Sequence, residues 1–98
     1  MDRSEAAHKV LVSLNASYGD PEDSLVLLHD ETIEKSWGWV FFYQSKRYVD
    51  TGNPSAILAG NGPVVILRES GSIHHLGTAF SPEDEIAEFE REQGLHDR

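Results

Sequence analysis

The chain has no cysteine, which excludes a disulfide framework and any cysteine-based zinc site. That absence fits a reducing compartment. No apolar run is long enough to span a bilayer. The first residues, Met1-Asp2-Arg3-Ser4-Glu5, are charged and lead into no apolar stretch, so the expectation is a cytoplasmic protein without a cleaved signal peptide. Positive charge is scarce: eight Lys and Arg stand against 17 Asp and Glu, a net charge of −9. Such a surface repels nucleic acid and anionic membrane, and it speeds encounter with a basic partner. Catalytic motifs are missing too. There is no Gly-x-Ser-x-Gly elbow, no P-loop and no HExxH helix. Gly60-Asn61-Gly62-Pro63 lacks the lysine and the following helix that a phosphate cradle needs, and reads better as a chain corner.

What remains is enough for one domain. Ninety-eight residues bury a single modest core, with the ordered part expected over about 4–93. The acids are unevenly placed. Residues 1–35 hold eight acids and three bases, residues 36–80 two acids and three bases, and residues 81–98 seven acids and two bases. The middle of the chain is nearly neutral and both ends are acidic.

Ala7, Val10, Leu11, Leu14 and Tyr18 recur at three- and four-residue steps, which predicts a helix over 4–17 with Ser4 as its N-cap. Gly19-Asp20-Pro21 ends it. Residues 24–30 read as a strand that Asp30-Glu31-Thr32 interrupts and that can resume at Ile33. Residues 37–45 form the clearest strand, with Trp37, Trp39, Phe41 and Tyr43 on one face and Val40 and Phe42 on the other. Residues 46–62 connect, and 64–68 with 72–76 form a hairpin around Glu69-Ser70-Gly71. Ser81, Pro82 and Asp84 predict the start of a helix over 82–93, with Ile86 and Phe89 as its anchors and Gly94 as its end. The tail Leu95–Arg98 is expected to fray. The order α-β-β-β-β-α points to an α+β fold, a two-layer sandwich with a four-stranded antiparallel sheet and N- and C-terminal helices.

Few residues invite chemistry. His74 and His75 are adjacent on a strand, so they point to opposite faces and cannot share one metal. The carboxylates of the last helix have no apolar cover to raise a pKa. No catalytic, cofactor-binding or metal-binding residue is therefore expected. Glu85, Glu88 and Glu92 fall on one helical face and form an acidic ridge, readable either as a solvated surface or as a docking site for Lys and Arg. Val40 and Phe42 either leave an apolar sheet face open as an interface, which would favour a symmetric homodimer, or lie beneath the 46–62 connection.

Three stretches taken together carry a resemblance. Gly38-Trp39-x-Phe41-x-Tyr43 is followed by the Gly60-Asn61-x-Pro63 corner, then by Gly71-x-Ile73-x-x-Leu76-Gly77-Thr78 ahead of the last helix. In that order they resemble the bacterial YrhB-like or immunity protein 35 family, over roughly residues 5–92. The resemblance implies a non-enzymatic immunity protein of a polymorphic toxin system, which binds and neutralises a cognate toxin. It implies no cofactor. One relative is instead described as heat-induced and chaperone-like, so a small holdase for unfolded proteins is the alternative. Among the residues read above, Glu85, Glu88 and Glu92 are expected to steer a basic toxin. Val40 and Phe42, or the 50–62 loop, are expected to anchor it.

Overall fold

A computed structural model describes residues 1–98. Helix α1 spans Arg3–Ser17, one residue earlier than the sequence predicts. Its cap is Asp2, whose carboxylate accepts from the Glu5 N–H at 2.8 Å, and Ser4 lies within the first turn instead. Six short strands follow: β1 Leu25–Leu27, β2 Ile33–Lys35, β3 Gly38–Phe41, β4 Tyr43–Ser45, β5 Val64–Leu67 and β6 Ile73–His75. Helix α2, Lys46–Thr51, sits between β4 and β5, and α3, Pro82–Gln93, closes the chain.

The six strands are the four predicted ones, two of them broken. β1 pairs with β4, while β2, β3, β5 and β6 form a four-stranded antiparallel sheet in that order. The predicted strand at 24–30, with its resumption at Ile33, and the predicted strand at 37–45 are thus one bent hairpin. Leu27 faces Tyr43 and Ile33 faces Val40, so the first strand advances six residues while the second advances three. The surplus is taken up by a 3₁₀ turn at His29–Glu31, where the acidic Asp30-Glu31 pair breaks the apolar run. Phe42 is the matching break on the other strand, and its carbonyl still accepts from the Leu28 N–H at 2.7 Å.

The two terminal helices lie on opposite faces of the sheet, which makes three layers where two were expected. Ala6, Val10 and Leu14 of α1 pack with Leu25, Leu27, Trp39, Phe41, Val64 and Ile66. Ile86 and Phe89 of α3 pack with Val40 and Val65. The reason is β3, whose four residues are all buried. An apolar strand with two buried faces needs a cover on each. Trp37 departs from its predicted face because it lies in the β2–β3 turn, where its ring stands 5.8 Å from that of Phe89.

Residues 46–62, expected to be a connection, contain α2. Ser45 caps it by accepting from the Tyr48 N–H, and Gly52 ends it in the left-handed region at φ 69°. The Asp23 carboxylate ties this turn to β1. It accepts from the Ser45 hydroxyl and from the backbone N–H groups of Ser24 and Arg47. The connection then folds back on β4: the Asn61 amide donates to the Tyr43 carbonyl at 2.8 Å, and the Gln44 side chain accepts from the Leu58 N–H at 2.7 Å. It packs on the α1 side and does not cover Val40 or Phe42.

Two glycines, Gly38 and Gly62, are required by close approach. A β-carbon on Gly38 would sit 2.1 Å from the Ile66 carbonyl oxygen, and one on Gly62 would sit 2.2 Å from that of Leu76. Backbone cannot yield there as a flexible side chain would. Gly38→Ala is therefore expected to destabilise the protein by about 3 kcal/mol, the upper range for overpacking. Gly19→Ala, with nothing within 4 Å of the added carbon, should stay within about 0.5 kcal/mol of wild type. Urea denaturation of the two variants checks the contrast.

Candidate functional site

Helix α3 begins and ends where its local chemistry places it. The Ser81 hydroxyl accepts from the Asp84 N–H at 3.2 Å, Pro82 takes the first helical position, and Gly94 supplies the left-handed cap at φ 67°. With Ile86 and Phe89 turned to the sheet, Glu85, Glu88 and Glu92 come together on one outer face. They wall a shallow cleft of about 280 Å³ whose opposite wall is His74, His75, Leu76 and Gly77. Three of the five site residues read from the sequence therefore share a surface.

The carboxylates differ in their partners. Glu85 is half-buried and accepts from the Phe80 N–H at 3.2 Å. Glu88 pairs with Arg91 one turn on, both of them largely exposed. Glu92 makes no ion pair. The other side of α3 is better balanced. Glu90 accepts from the Trp37 indole N–H at 3.0 Å and lies 3.9 Å from the Lys35 ammonium, which also stands 4.0 Å from Asp97. Past the first turn, the acidic excess of the helix thus falls on the Glu85–Glu92 face, beside β6.

Val40 and Phe42 do not join this surface. Val40 is 0 % exposed, sealed by Ile86 and Phe89, and Phe42 is half-buried against the same cluster. Helix α3 covers the face expected to be open or to lie beneath residues 46–62. The apolar anchor is therefore not Val40, and the argument for a dimer through that face lapses. The two histidines diverge as alternation requires. The His74 ring packs tilted against Phe89, 5.2 Å between centroids, and its Nε2 is 3.0 Å from the Ser72 hydroxyl. His75 borders a second hollow of about 420 Å³ on the α1 side, lined by Leu14, Tyr18, Tyr43 and Leu58.

Sequence reasoning missed two features. Phe80 is 71 % exposed directly before α3. A signal was present: an apolar residue before the N-cap normally packs on the fourth helical residue, but here that residue is Glu85. Its carboxylate takes the Phe80 N–H and leaves the ring without an apolar partner. The tail was expected to fray and is held instead. Asp97 accepts from the Ser36 N–H at 2.6 Å, the Ser36 hydroxyl donates to the His96 carbonyl at 3.2 Å, and Leu95 packs on the α3 cluster.

The sequence model of the immunity protein 35 family matches residues 4–89, nearly nine-tenths of the chain. The chain belongs to the immunity protein 35 family. It is also similar to the uncharacterized protein YrhB of Escherichia coli strain K12, with 42% identity over 55 residues. That alignment covers 56% of this chain and 58% of YrhB, so the chain spans a little over half the length of the relative. No solved structure matches it. The immunity protein 35 match includes Glu85 and Glu88 and stops before Glu92 and the pinned tail.

The tail carries a pH dependence. The Ser36 N–H bond, helped by the Ser36 side chain and the nearby Lys35 ammonium, holds the Asp97 carboxyl below the ordinary aspartate range. A lowered folded-state pKa stabilises the docked tail above the unfolded value, about 3.9, and that contribution is lost as pH falls through the lower folded value. The Ser36 amide resonance should therefore titrate with a midpoint below about 3.9. Asp97→Asn should abolish that titration and speed exchange of the Ser36 amide.

Proposed function

We propose that the protein is a non-enzymatic antidote that acts in the cytoplasm, binding one toxin domain directly and blocking it. Membership of the immunity protein 35 family carries this reading. The charge of the chain, −9, supports a toxin with a basic surface, because opposite fields raise the encounter rate. Glu85, Glu88 and Glu92 are the steering ridge in this reading, since no cation beyond Arg91 pairs with them. Contact beyond steering needs apolar area that leaves water on binding. Phe80, 71 % exposed beside the ridge, and Ile57 of the 50–62 loop, 48 % exposed, offer it.

A holdase would need one broad apolar surface for many clients. The large exposed apolar residues Met1, Val12, Val49, Ile57 and Phe80 lie instead on five separate segments of the chain. Co-expression with the product of the neighbouring reading frame, followed by purification and a growth assay, tests the proposal. One stoichiometric complex with restored growth is expected. Suppressed aggregation of an unrelated heat-denatured protein, without a complex, would overturn it in favour of the holdase.

The ridge has its own test. Replacing Glu85, Glu88 and Glu92 together by Lys should slow association with the toxin about tenfold at low ionic strength, and the difference should shrink at high salt. Stopped-flow association rates across a salt series check it. Unchanged rates would remove the ridge from the interface.

A further inference from the structure

Unpaired strand edges invite another chain, and native proteins usually cover them. Three edges of this molecule can be compared. At β1, the Asn15 side chain reaches over from α1. Its carbonyl oxygen accepts from the Leu25 N–H at 2.8 Å, and its amide nitrogen donates to the Leu25 carbonyl at 3.1 Å. That amide does what a neighbouring strand would do. At the turn that ends β2, Asp97 takes the Ser36 N–H, and the Arg68 guanidinium donates to the Lys35 and Ser36 carbonyls, which closes the end of the strand and leaves Glu34 facing outward away from the acidic ridge.

β6 has no such cover. Backbone bonds join Leu67 to Ser72 and Leu76 to Pro63 at its two ends. Antiparallel bonding alternates along a pair. His74 therefore bonds inward to Val65, while Ile73 and His75 turn their N–H and C=O groups away from β5. No hydrogen bond from another element reaches those groups.

The flanks of this edge specify what fits along it. A strand laid on β6 would send alternate side chains to opposite faces of the sheet. On the α3 side they would meet Glu85, Glu88 and Glu92 across the 280 Å³ cleft. On the α1 side they would meet the hollow beside His75, which is lined by Tyr18, Tyr43 and Leu58. One side calls for Lys or Arg and the other for apolar residues.

We infer that the free edge of β6 is a strand-addition site, and that its occupant is an extended segment of the protein partner in which basic and apolar residues alternate. The inference rests on the antidote reading and adds to it a place and a binding mode. Charge argues against a second copy of this chain as the occupant. Pairing two β6 edges would set two acidic ridges side by side on chains that each carry −9, and like charges across an interface repel.

The test has two arms. In the first, a blocked heptapeptide alternating lysine and valine is titrated into the full chain and followed by amide resonances and hydrogen exchange. A glutamate–valine counterpart and a lysine–valine peptide methylated at alternate backbone nitrogens are the comparisons. The lysine peptide should slow exchange at Ile73 and His75, and each comparison peptide should bind about tenfold more weakly or worse. His75→Pro removes an outward N–H and should cost a similar factor. Should that variant fail to fold, the Glu85→Lys, Glu88→Lys, Glu92→Lys triple variant, changed only at the helix surface, tests the same groove. Equal binding of all three peptides, or protection confined to other amides, overturns the site.

In the second arm, exchange is measured on the complex with the toxin. Slowed exchange at Ile73 and His75 supports the inference. A complex that leaves both amides exchanging as in the free protein overturns the strand-addition site and leaves the antidote reading intact. Absence of any complex, with the peptide result as expected, overturns the antidote reading and leaves the edge site standing. A dimer of the free protein with both amides protected would put a second copy on the edge and overturn the assignment of a foreign partner.

Discussion

Burial of β3 on both faces is the constraint from which the rest of the structure follows. Trp39 and Phe41 point one way and Val40 the other, and none of them keeps more than a trace of exposure. A strand of this kind gains little from a single layer of helices, because half its apolar surface would stay wet. One helix must therefore go to each side. α1, which is longer and carries Ala6, Val10 and Leu14, covers the larger cluster with the aromatic rings. α3 has only Ile86 and Phe89 buried and covers the smaller one. Gly38 completes the arrangement by letting the β5 backbone approach closely enough to extend the sheet.

Placing both helices over the core removes the sheet faces from function. What is left for recognition is the rim: strand edges, the outer face of α3 and the segment leading into it. The rim is unevenly finished. Asn15 closes one edge and the tail pins the β2–β3 turn, whereas β6 stays open next to unbalanced carboxylates. Lys35 answers Glu90 and Asp97, but only Arg91 answers the ridge. Under the proposed antidote reading this unevenness has a physical use. A field of one sign would attract a basic partner from a distance, and a free edge with apolar surroundings would hold it on contact.

The elements governed by neighbours in sequence were legible before the structure. α3 runs over the predicted residues 82–93, because its boundaries depend on Ser81, Pro82 and Gly94 alone. The opposed directions of His74 and His75 follow from strand alternation in the same way, as does the common face of Glu85, Glu88 and Glu92 from helical spacing. The predicted strands erred where the outcome depended on partners far along the chain. The 3₁₀ turn at His29–Glu31 is a mismatch in length between two paired strands, and neither strand reveals it alone. α2 is fixed by Asp23 reaching Ser45 and Arg47 from more than twenty residues away.

By itself, then, the chain determined its class, its four apolar strand runs, its terminal helices and its acidic ridge, all of which rest on periodicity and local capping. Only the tertiary structure decided which face each helix covers. That choice turned Val40 from a candidate contact into core and set the ridge beside β6. The tail was likewise settled only there, by Ser36 sixty residues away in sequence. Packing on two faces is a property of several segments at once. A sequence pattern shows that a strand face is apolar, but which segment will cover it depends on where the other segments can reach.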